Sequence, residues 1–334
     1  MPVAMFSMFS KSSKSPTEVM KLLRENFAHE EVTKHEEASK QLASISSMLF
    51  GGDNKGQSEQ VLAQLCQEFY TSGLLLKIVT NFHKINHKGR KDTAQIFTNI
   101  LQRQIGTRTP TVEYICKTPE IIFALCKGYE VEDNALNCGT MLRDCIRYQP
   151  LAKIIFNSEY FMNFFKLIEG PNFHSSSDAF QTFRELLTRH KLLAAEFLED
   201  NYDMIFQRYQ SLLDSENYVI RRQSLKLLAE LLLEPHNFLP MTKFISNPDN
   251  LKHIMIKMKN EKSRNIQFEA FQVFKFFVAN HNKPKPIVGM LVRNRETMVE
   301  FLINFLADSP NDNHFEDEKA YLIKLIRELK KVKK

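Results

Sequence analysis

The feature that most constrains this chain is a helical pattern that recurs five times. Each copy has a small residue followed by apolar residues three and seven places later, except that Thr182 takes the first of these places in the third copy. The small residues are Ala94, Cys138, Ala179, Ser224 and Ala270. They are 44, 41, 45 and 46 residues apart, close to the roughly 40–47 residues of armadillo and HEAT repeats. The pattern gives each helix one broad apolar face, which only neighbouring repeats can cover.

Helix boundaries follow from capping signals and from breaks at proline and glycine. Glycine is rare, at 10 of 334 residues, which favours helix over sheet. Ser15 followed by Pro16 and Glu18 predicts the first helix start, with Ser15 as the N-cap. The predicted helices lie at about 15–27, 29–50, 57–70, 72–86, 90–104, 110–116, 119–128, 132–148, 150–156, 158–168, 174–190, 191–199, 202–214, 216–234, 236–246, 248–260, 263–280, 284–293, 295–307 and 314–331.

Each repeat therefore consists of two shorter helices and one long one, which is the armadillo plan. We predict an all-α fold, an armadillo/HEAT-like right-handed helical solenoid of about six to seven helical repeats. Residues 1–14 are expected to form a flexible N-terminal tail and 15–331 a single armadillo-like helical repeat domain. A basic C-terminal tail is expected at 332–334.

Composition bounds the class of protein and its compartment. The formal charge of +6 permits an acidic partner but does not require nucleic acid. Five cysteines on predicted apolar faces indicate reduced thiols and a cytoplasmic protein. No run approaches 18 apolar residues, so no membrane span is predicted.

The sequence carries little that predicts catalysis. It lacks the G-x-G-x-x-G, G-x-x-x-x-G-K-[ST], G-x-S-x-G and H-E-x-x-H motifs. His83 and His87 have the spacing of a metal pair, but surface histidines are the favoured interpretation because no carboxylate is near. Cys138 and Cys145 share one helix face, where core packing is favoured over metal binding. We predict no catalytic residue, no cofactor and no metal.

Two surface groups remain as candidates for partner binding. Tyr218, Arg222 and Lys226 recur every fourth residue, and this stripe could receive an acidic, partly apolar surface. Met255 lies at the edge of a buried helix face beside Lys252, and also beside Lys259, which suits an aromatic group next to a carboxylate. From the residue types alone, the favoured interpretation of the Tyr218 stripe is a solvated helix face. The favoured interpretation of Met255 is the edge of the core, with lysines whose stems lie along it.

Long, unusual stretches of the sequence closely resemble the calcium-binding protein 39 family, also called mouse protein 25. The stretches are RQIGTRTPTVEYIC at 103–116, LTRHKLL at 187–193, SENYV at 215–219, RQSLKLL at 222–228 and KSRNIQFEAF at 262–271. The resemblance runs from about Ser15 to Lys331. It implies an armadillo-like scaffold without catalytic activity.

The resemblance also implies partners. Family members bind the STRAD pseudokinase, help to assemble its complex with liver kinase B, and activate germinal-centre kinases of the sterile-twenty class. The concave face holds the kinase or pseudokinase in a closed, active-like conformation. A pocket near the C-terminal end takes a Trp-Glu-Phe-type tail of the partner.

Carried over position by position, the resemblance implies a set of partner-binding residues. These are Arg222, Tyr218, Phe173 and Phe238 on the concave face, Met255 and Lys252 at the tail pocket, and Arg293, where the family typically has Lys. Two departures concern this set. Pro235 replaces a commonly basic residue, and the segment 255–262 is one residue longer than usual, which we expect the loop before Ser263 to absorb.

The sequence therefore predicts a cytoplasmic, non-enzymatic scaffold, monomeric on its own, that binds and allosterically activates kinases and pseudokinases without a nucleic-acid or membrane partner. An armadillo-type transport adaptor is one alternative, although such adaptors use Trp-Asn ladders and this chain has no Trp. A basic solenoid that binds nucleic acid is the other, and a steep loss of affinity with salt would support it.

Overall fold

The computed structural model describes residues 14–51, 55–306 and 313–330, with side chains from residue 59 in the third helix and from 314 in the last. Apart from Lys14, the predicted tail at 1–14 lies outside these residues, as does the predicted tail at 332–334. The described residues form α-helices, two short 3-10 helices and one isolated bridge between Ile105 and Arg108, with no strand. The predicted class, an all-α helical solenoid, is confirmed; its handedness and repeat count stay predictions.

Contacts between residues divide the chain into two units. The first consists of the residues up to Phe161 together with Asn172–Thr182. The second consists of Met162–Pro171 together with the residues from Phe183 on. The first unit contains α1 (Pro16–Asn26), α2 (Val32–Phe50), α3 (Lys55–Ser72), α4 (Leu74–Thr80), α5 (His87–Gln102), α6 (Pro110–Lys117), α7 (Glu120–Gly128), α8 (Glu132–Ile146) and α9 (Gln149–Phe156). The division falls within α10 (Tyr160–Ile168) and α11 (Phe173–Arg189). The second unit contains α12 (Lys191–Asp200), α13 (Tyr202–Leu213), α14 (Tyr218–Leu233), α15 (Phe238–Ser246), α16 (Pro248–Asn260), α17 (Arg264–Ala279), α18 (Lys285–Arg293), α19 (Arg295–Asn304) and α20 (Asn313–Glu328).

Within each unit, the long helices of successive repeats pack side by side, as the period predicts. In the first unit α5 contacts both α2 and α8, and in the second α17 contacts both α14 and α20. Three small residues of the repeated pattern, Cys138, Ser224 and Ala270, are fully buried. The apolar faces are thus covered by the adjoining repeat, as expected of a solenoid. Along the described residues, no helix is both long and apolar enough to cross a membrane.

From α5 onward, a ladder of ion pairs joins each long helix to the long helix of the next repeat. In every step a cation of the earlier helix pairs with a carboxylate of the later one. The pairs are Arg90–Asp133 at 3.3 Å, Arg143–Asp178 at 2.9 Å, Arg184–Glu230 at 3.0 Å, Arg222–Glu269 at 3.4 Å and Lys275–Glu318 at 2.6 Å. Exposed pairs contribute little to stability individually. Their shared direction nevertheless favours pairing of each helix with its own successor.

Most helix boundaries lie within two residues of those predicted, but α2 begins at Val32 instead of 29, α19 ends at Asn304 instead of 307 and α20 ends at Glu328 instead of 331. Two other predicted helices differ in kind. The predicted helix at 72–86 is α4 followed by a 3-10 turn at Phe82–Lys84, and α5 begins at His87 instead of about 90. The reason is Asn86, whose side chain accepts the Gly89 N–H at 2.8 Å and caps α5. The predicted helix at 236–246 begins with a 3-10 turn at Pro235–Asn237 before α15.

A buried polar cluster in the first unit is built around Gly139, in the middle of α8. The Asp178 carboxylate accepts from the Tyr129 hydroxyl at 2.7 Å and from both terminal nitrogens of Arg143 at 2.9 Å. Burial holds the pKa of Tyr129 well above its usual range, so the phenol remains a neutral donor. A Cβ at residue 139 would collide with the Asp178 carboxylate and the Tyr129 ring. Glycine is therefore required here by close packing.

We predict that Gly139→Ala destabilises the chain by about 1–3 kcal/mol, because the cluster must move to admit the methyl group. Gly289→Ala is the matched control: residue 289 is also inside a helix, but the nearest atom to the new Cβ would be 3.4 Å away, at Arg293. There alanine should stabilise the helix by up to about 1 kcal/mol. Midpoints of urea unfolding followed by circular dichroism test both. Equal shifts of the two variants would contradict the packing role of Gly139.

Candidate functional site

The first part of the candidate site is the start of α14, which the sequence specifies through an N-cap. The Asn217 side chain accepts the N–H groups of Val219 and Ile220 at 2.9 and 3.4 Å. This cap fixes Tyr218 as the first helical residue, and Arg222 and Lys226 follow at four-residue spacing on one side of the helix. All three side chains reach solvent.

Two residues of α17 hold this stripe in place. Asn265 donates to the Tyr218 hydroxyl at 3.2 Å, and this hydrogen bond lowers the pKa of Tyr218. Glu269 accepts from the Arg222 Nε at 3.4 Å. The carboxylate belongs to a residue that is only 7% exposed, while the Arg222 side chain is 41% exposed. The Glu269 carboxylate thus orients Arg222 through its Nε, and the terminal nitrogens of the guanidinium remain available to a partner.

The second part of the site is a cavity of about 180 Å³ beside Met255, which we call the Met255 cavity. Its walls come from α16, α17 and α19, together with Asn294 between α18 and α19. The lining residues are Met255, Met258, Lys259, Phe274, Asn294, Thr297, Met298 and Phe301. A cavity of this size can take one large side chain.

The chemistry of the Met255 cavity matches an aromatic group next to a carboxylate. Three methionines and two phenylalanines make the interior apolar and adaptable in shape. Lys259 adds a cation at the rim, while Asn294 and Thr297 add groups that can hydrogen-bond to a peptide backbone. A carboxylate near Lys259 would therefore gain a charge-assisted contact.

Met255 reaches the cavity because α16 is regular along its length. Asn247 caps its start by accepting the Asp249 N–H at 2.9 Å, and the helix runs to Asn260. Leu251, Ile254 and Met258 are buried, as the helical wheel predicts. Met255 lies at the edge of that face, half-buried, where the wheel places it.

Some of the predicted site residues belong neither to the stripe on α14 nor to the Met255 cavity. Lys252 is exposed one turn before Met255, and Arg293 is exposed next to Asn294; neither lines the Met255 cavity. Phe238 begins α15 and is largely exposed, without a contact to Tyr218 or Arg222 among the described interactions. Phe173 belongs to the first unit, where its half-exposed ring lies 5.7 Å from that of His174.

Sequence reasoning missed the supporting residues. Asn265 and Glu269 looked like ordinary polar residues of a long helix, although Glu269 on the apolar side of α17 was a signal for a buried ion pair. Phe274, Met298 and Phe301 looked like core residues. One helical wheel cannot show which edges of three helices converge on a cavity.

Comparison with known proteins agrees with the resemblance found in the sequence. A family model described as Mo25-like matches residues 7–330. Calcium-binding protein 39-like of Homo sapiens is 53% identical over 330 residues, covering 97% of this chain and 98% of the relative. MO25-like protein 2 of Caenorhabditis elegans is 48% identical over 334 residues, with 97% and 98% covered.

One solved structure is similar in fold alone. The crystal structure of an engineered protein has a TM-score of 0.51 and 14% identity, covering 94% of this chain and 79% of that chain. At that identity the similarity carries no information about function.

We predict that Arg222→Ala destabilises the second unit by about 1 kcal/mol, because it leaves the Glu269 carboxylate buried without its partner. The double variant Arg222→Ala with Glu269→Gln should recover this loss, since a neutral amide costs less to bury. Urea unfolding of the single and double variants provides the measurement. If Glu269→Gln does not restore the free energy of unfolding, the Arg222–Glu269 pair does not contribute to stability.

Proposed function

This chain belongs to the Mo25-like family, and from that premise we propose that it is a non-catalytic scaffold that binds protein kinases and pseudokinases and activates them allosterically. The family match along nearly the whole chain supports a role at the level of the family. The finer assignment draws on the resemblance described above, which implies STRAD-type pseudokinases, liver kinase B and germinal-centre kinases as partners. The proposed location is the cytoplasm, and the proposed free state is a monomer.

The observation that carries the proposal is that one helix, α17, supports two separate contact groups. Its Asn265 and Glu269 hold the Tyr218–Arg222 stripe, and its Phe274 lines the Met255 cavity. The stripe would contact the folded body of a kinase, and the cavity would take an aromatic side chain from its tail. Tethering by the tail raises the effective concentration of the body at the stripe.

Activation in this proposal is a shift of population. A scaffold can favour the active conformation of a kinase only by binding that conformation more tightly than the inactive one. A difference of about 1–3 kcal/mol, typical of allosteric coupling, corresponds to roughly 5–150-fold. The scaffold itself needs no reactive group.

Calcium is not part of the proposal, although the human relative carries it in its name. Two acidic residues near the start of α20 have lysine partners, since Glu316 pairs with Lys319 at 2.8 Å and Glu318 with Lys275 at 2.6 Å. Among the residues that the structure describes, no three His, Cys, Asp or Glu side chains cluster as a metal site would require.

The Met255 cavity is tested with a labelled peptide that ends in Trp-Glu-Phe. We expect Met255→Ala to weaken binding about tenfold or more, because the aromatic side chain loses its contact with the thioether. Ile256→Ala is the matched control, since Ile256 is the next residue of α16 but does not line the cavity. Fluorescence anisotropy gives both affinities. Equal affinity of wild type and Met255→Ala would remove the cavity from the proposal.

The Tyr218–Arg222 stripe is tested by activating a panel of purified germinal-centre kinases and a STRAD–liver kinase B mixture. We expect Arg222→Ala with Glu269→Gln to lower activation about tenfold or more while the fold is kept, because the client loses a charged contact. Lack of activation of every kinase by wild type would overturn the function. Tight, strongly salt-dependent binding of generic RNA would favour the nucleic-acid alternative instead.

A further inference from the structure

Two loops of the second unit are joined by ion pairs that belong to neither contact group. One loop leads from α13 into α14, and the other leads from α16 into α17. The helices that follow, α14 and α17, carry the Tyr218–Arg222 stripe and the side chains that hold it. These ion pairs therefore lie where the two helices of the stripe begin.

The first ion pairs start from Asp214, which follows the last residue of α13. Its Oδ1 accepts from the Lys257 Nζ at 2.7 Å and lies 2.8 Å from the His253 Nε2, both on α16. Burial raises the pKa of the Asp214 carboxyl, but the hydrogen bonds from Lys257 and His253 outweigh burial and lower it below its usual range. The carboxylate is therefore charged at neutral pH and ties the first loop to α16.

The second set of contacts runs through Arg221 on α14. Its Nε lies 3.0 Å from the Glu261 Oε1, and its Nη1 donates to the backbone carbonyl of Ser215 in the first loop. The same Glu261 oxygen lies 3.6 Å from the Lys257 Nζ, which links both sets of contacts. The Arg221 and Glu261 side chains are only 19% and 16% exposed, so salt screens this pair less than a surface pair. We call Asp214, Arg221, Lys257 and Glu261 the loop clamp.

Glu261 reaches the loop clamp because it keeps helical spacing just beyond α16. Its N–H donates to the Lys257 carbonyl at 3.3 Å, although α16 ends at Asn260. Residues four apart on a helix share one side, so Lys257 and Glu261 both face the first loop. Glu261 also belongs to the segment 255–262, which is one residue longer than usual in the family. The loop clamp therefore rests on the contacts of this chain.

The loop clamp lies close to the stripe along both helices. Arg221 is three residues after Tyr218, within one turn of α14, and Glu261 is four residues before Asn265 of α17. The Arg221–Glu261 pair thus holds the starts of α14 and α17 together. The hydrogen bond from Asn265 to the Tyr218 hydroxyl, 3.2 Å long, spans the same two helix starts.

We propose that the loop clamp positions Tyr218 and Arg222 for a partner, with Arg221 and Glu261 as its positioning residues. The clamp acts through α14 and α17 and need not touch the partner itself. The identity of the partner rests on the proposed function, whereas the contacts of the clamp do not depend on a partner.

The test measures the pKa of Tyr218, which hydrogen bonds with Asn265 and Ser263 of the neighbouring helix start lower. We expect Glu261→Ala to raise this pKa, because the two helix starts move apart and those hydrogen bonds are lost. Loss of the carboxylate charge alone would lower the pKa instead, since a nearby negative charge favours the neutral phenol. An NMR pH titration of isotope-labelled tyrosine measures the pKa, and Tyr218→Phe identifies the signal.

A second variant and a matched control complete this test. Arg221→Lys keeps the charge but loses the forked donor geometry that contacts Glu261 and the Ser215 carbonyl, so we expect a smaller rise in the pKa of Tyr218. Glu216→Ala is the control. Glu216 is an exposed glutamate two residues before Tyr218 and has no ion pair with the loop clamp among the described contacts. There the pKa of Tyr218 should stay the same or fall.

The kinase panel measures the effect on a partner. We expect Glu261→Ala to lower activation about threefold or more, because the stripe is no longer held in its binding position. Its affinity for the Trp-Glu-Phe peptide should be unchanged, since Glu261 does not line the Met255 cavity. Unchanged peptide binding also shows that the variant remains folded.

The outcomes separate the loop clamp from the proposed function. A raised pKa of Tyr218 in Glu261→Ala, but not in Glu216→Ala, supports the clamp even if no kinase of the panel is activated. An unchanged or lowered pKa of Tyr218 in Glu261→Ala overturns the clamp even if kinases are activated. Equal activation of the panel by wild type and Glu261→Ala overturns its role in partner binding.

Discussion

The burial of α17 among its neighbours is the interaction on which the second unit depends. Ile266, Ala270, Phe271, Phe274 and Phe277 are fully buried against the surrounding helices. At roughly 1.5–3 kcal/mol for a large apolar side chain, this burial outweighs any single polar contact on the same helix. Because the core side of α17 is fixed, its remaining side chains have fixed positions too. Asn265 and Glu269 therefore reach the Tyr218–Arg222 stripe, and Phe274 reaches the Met255 cavity, from one rigid element.

The repeat period and the capping signals made most of this fold predictable from sequence. Ser15 caps α1 as expected, with the Glu18 N–H donating to its hydroxyl at 3.3 Å. The helical wheel correctly placed Met255 at the edge of a buried face. The turns at 82–84 and 235–237 were missed because short 3-10 segments differ from an α-helix only in local hydrogen bonding.

The candidate site was less predictable because it depends on how helices converge. Met298 and Phe301 come from a helix more than forty residues after Met255, and nothing in their spacing points to a shared cavity. Periodicity identifies the buried side of a helix, whereas three-dimensional packing decides which exposed edges meet.

The ion-pair ladder has a mechanical consequence. Surface charges are screened by salt, with a Debye length of about 8 Å at physiological ionic strength and about 3 Å at 1 M. Each joint between consecutive long helices from α5 onward carries one such pair within its unit. Added electrolyte would weaken the exposed pairs, while the buried Arg143–Asp178 pair and the apolar contacts would remain. The stiffness of the stacked helices would then vary with ionic conditions. The force that a bound client must exert to bend them would vary in the same way.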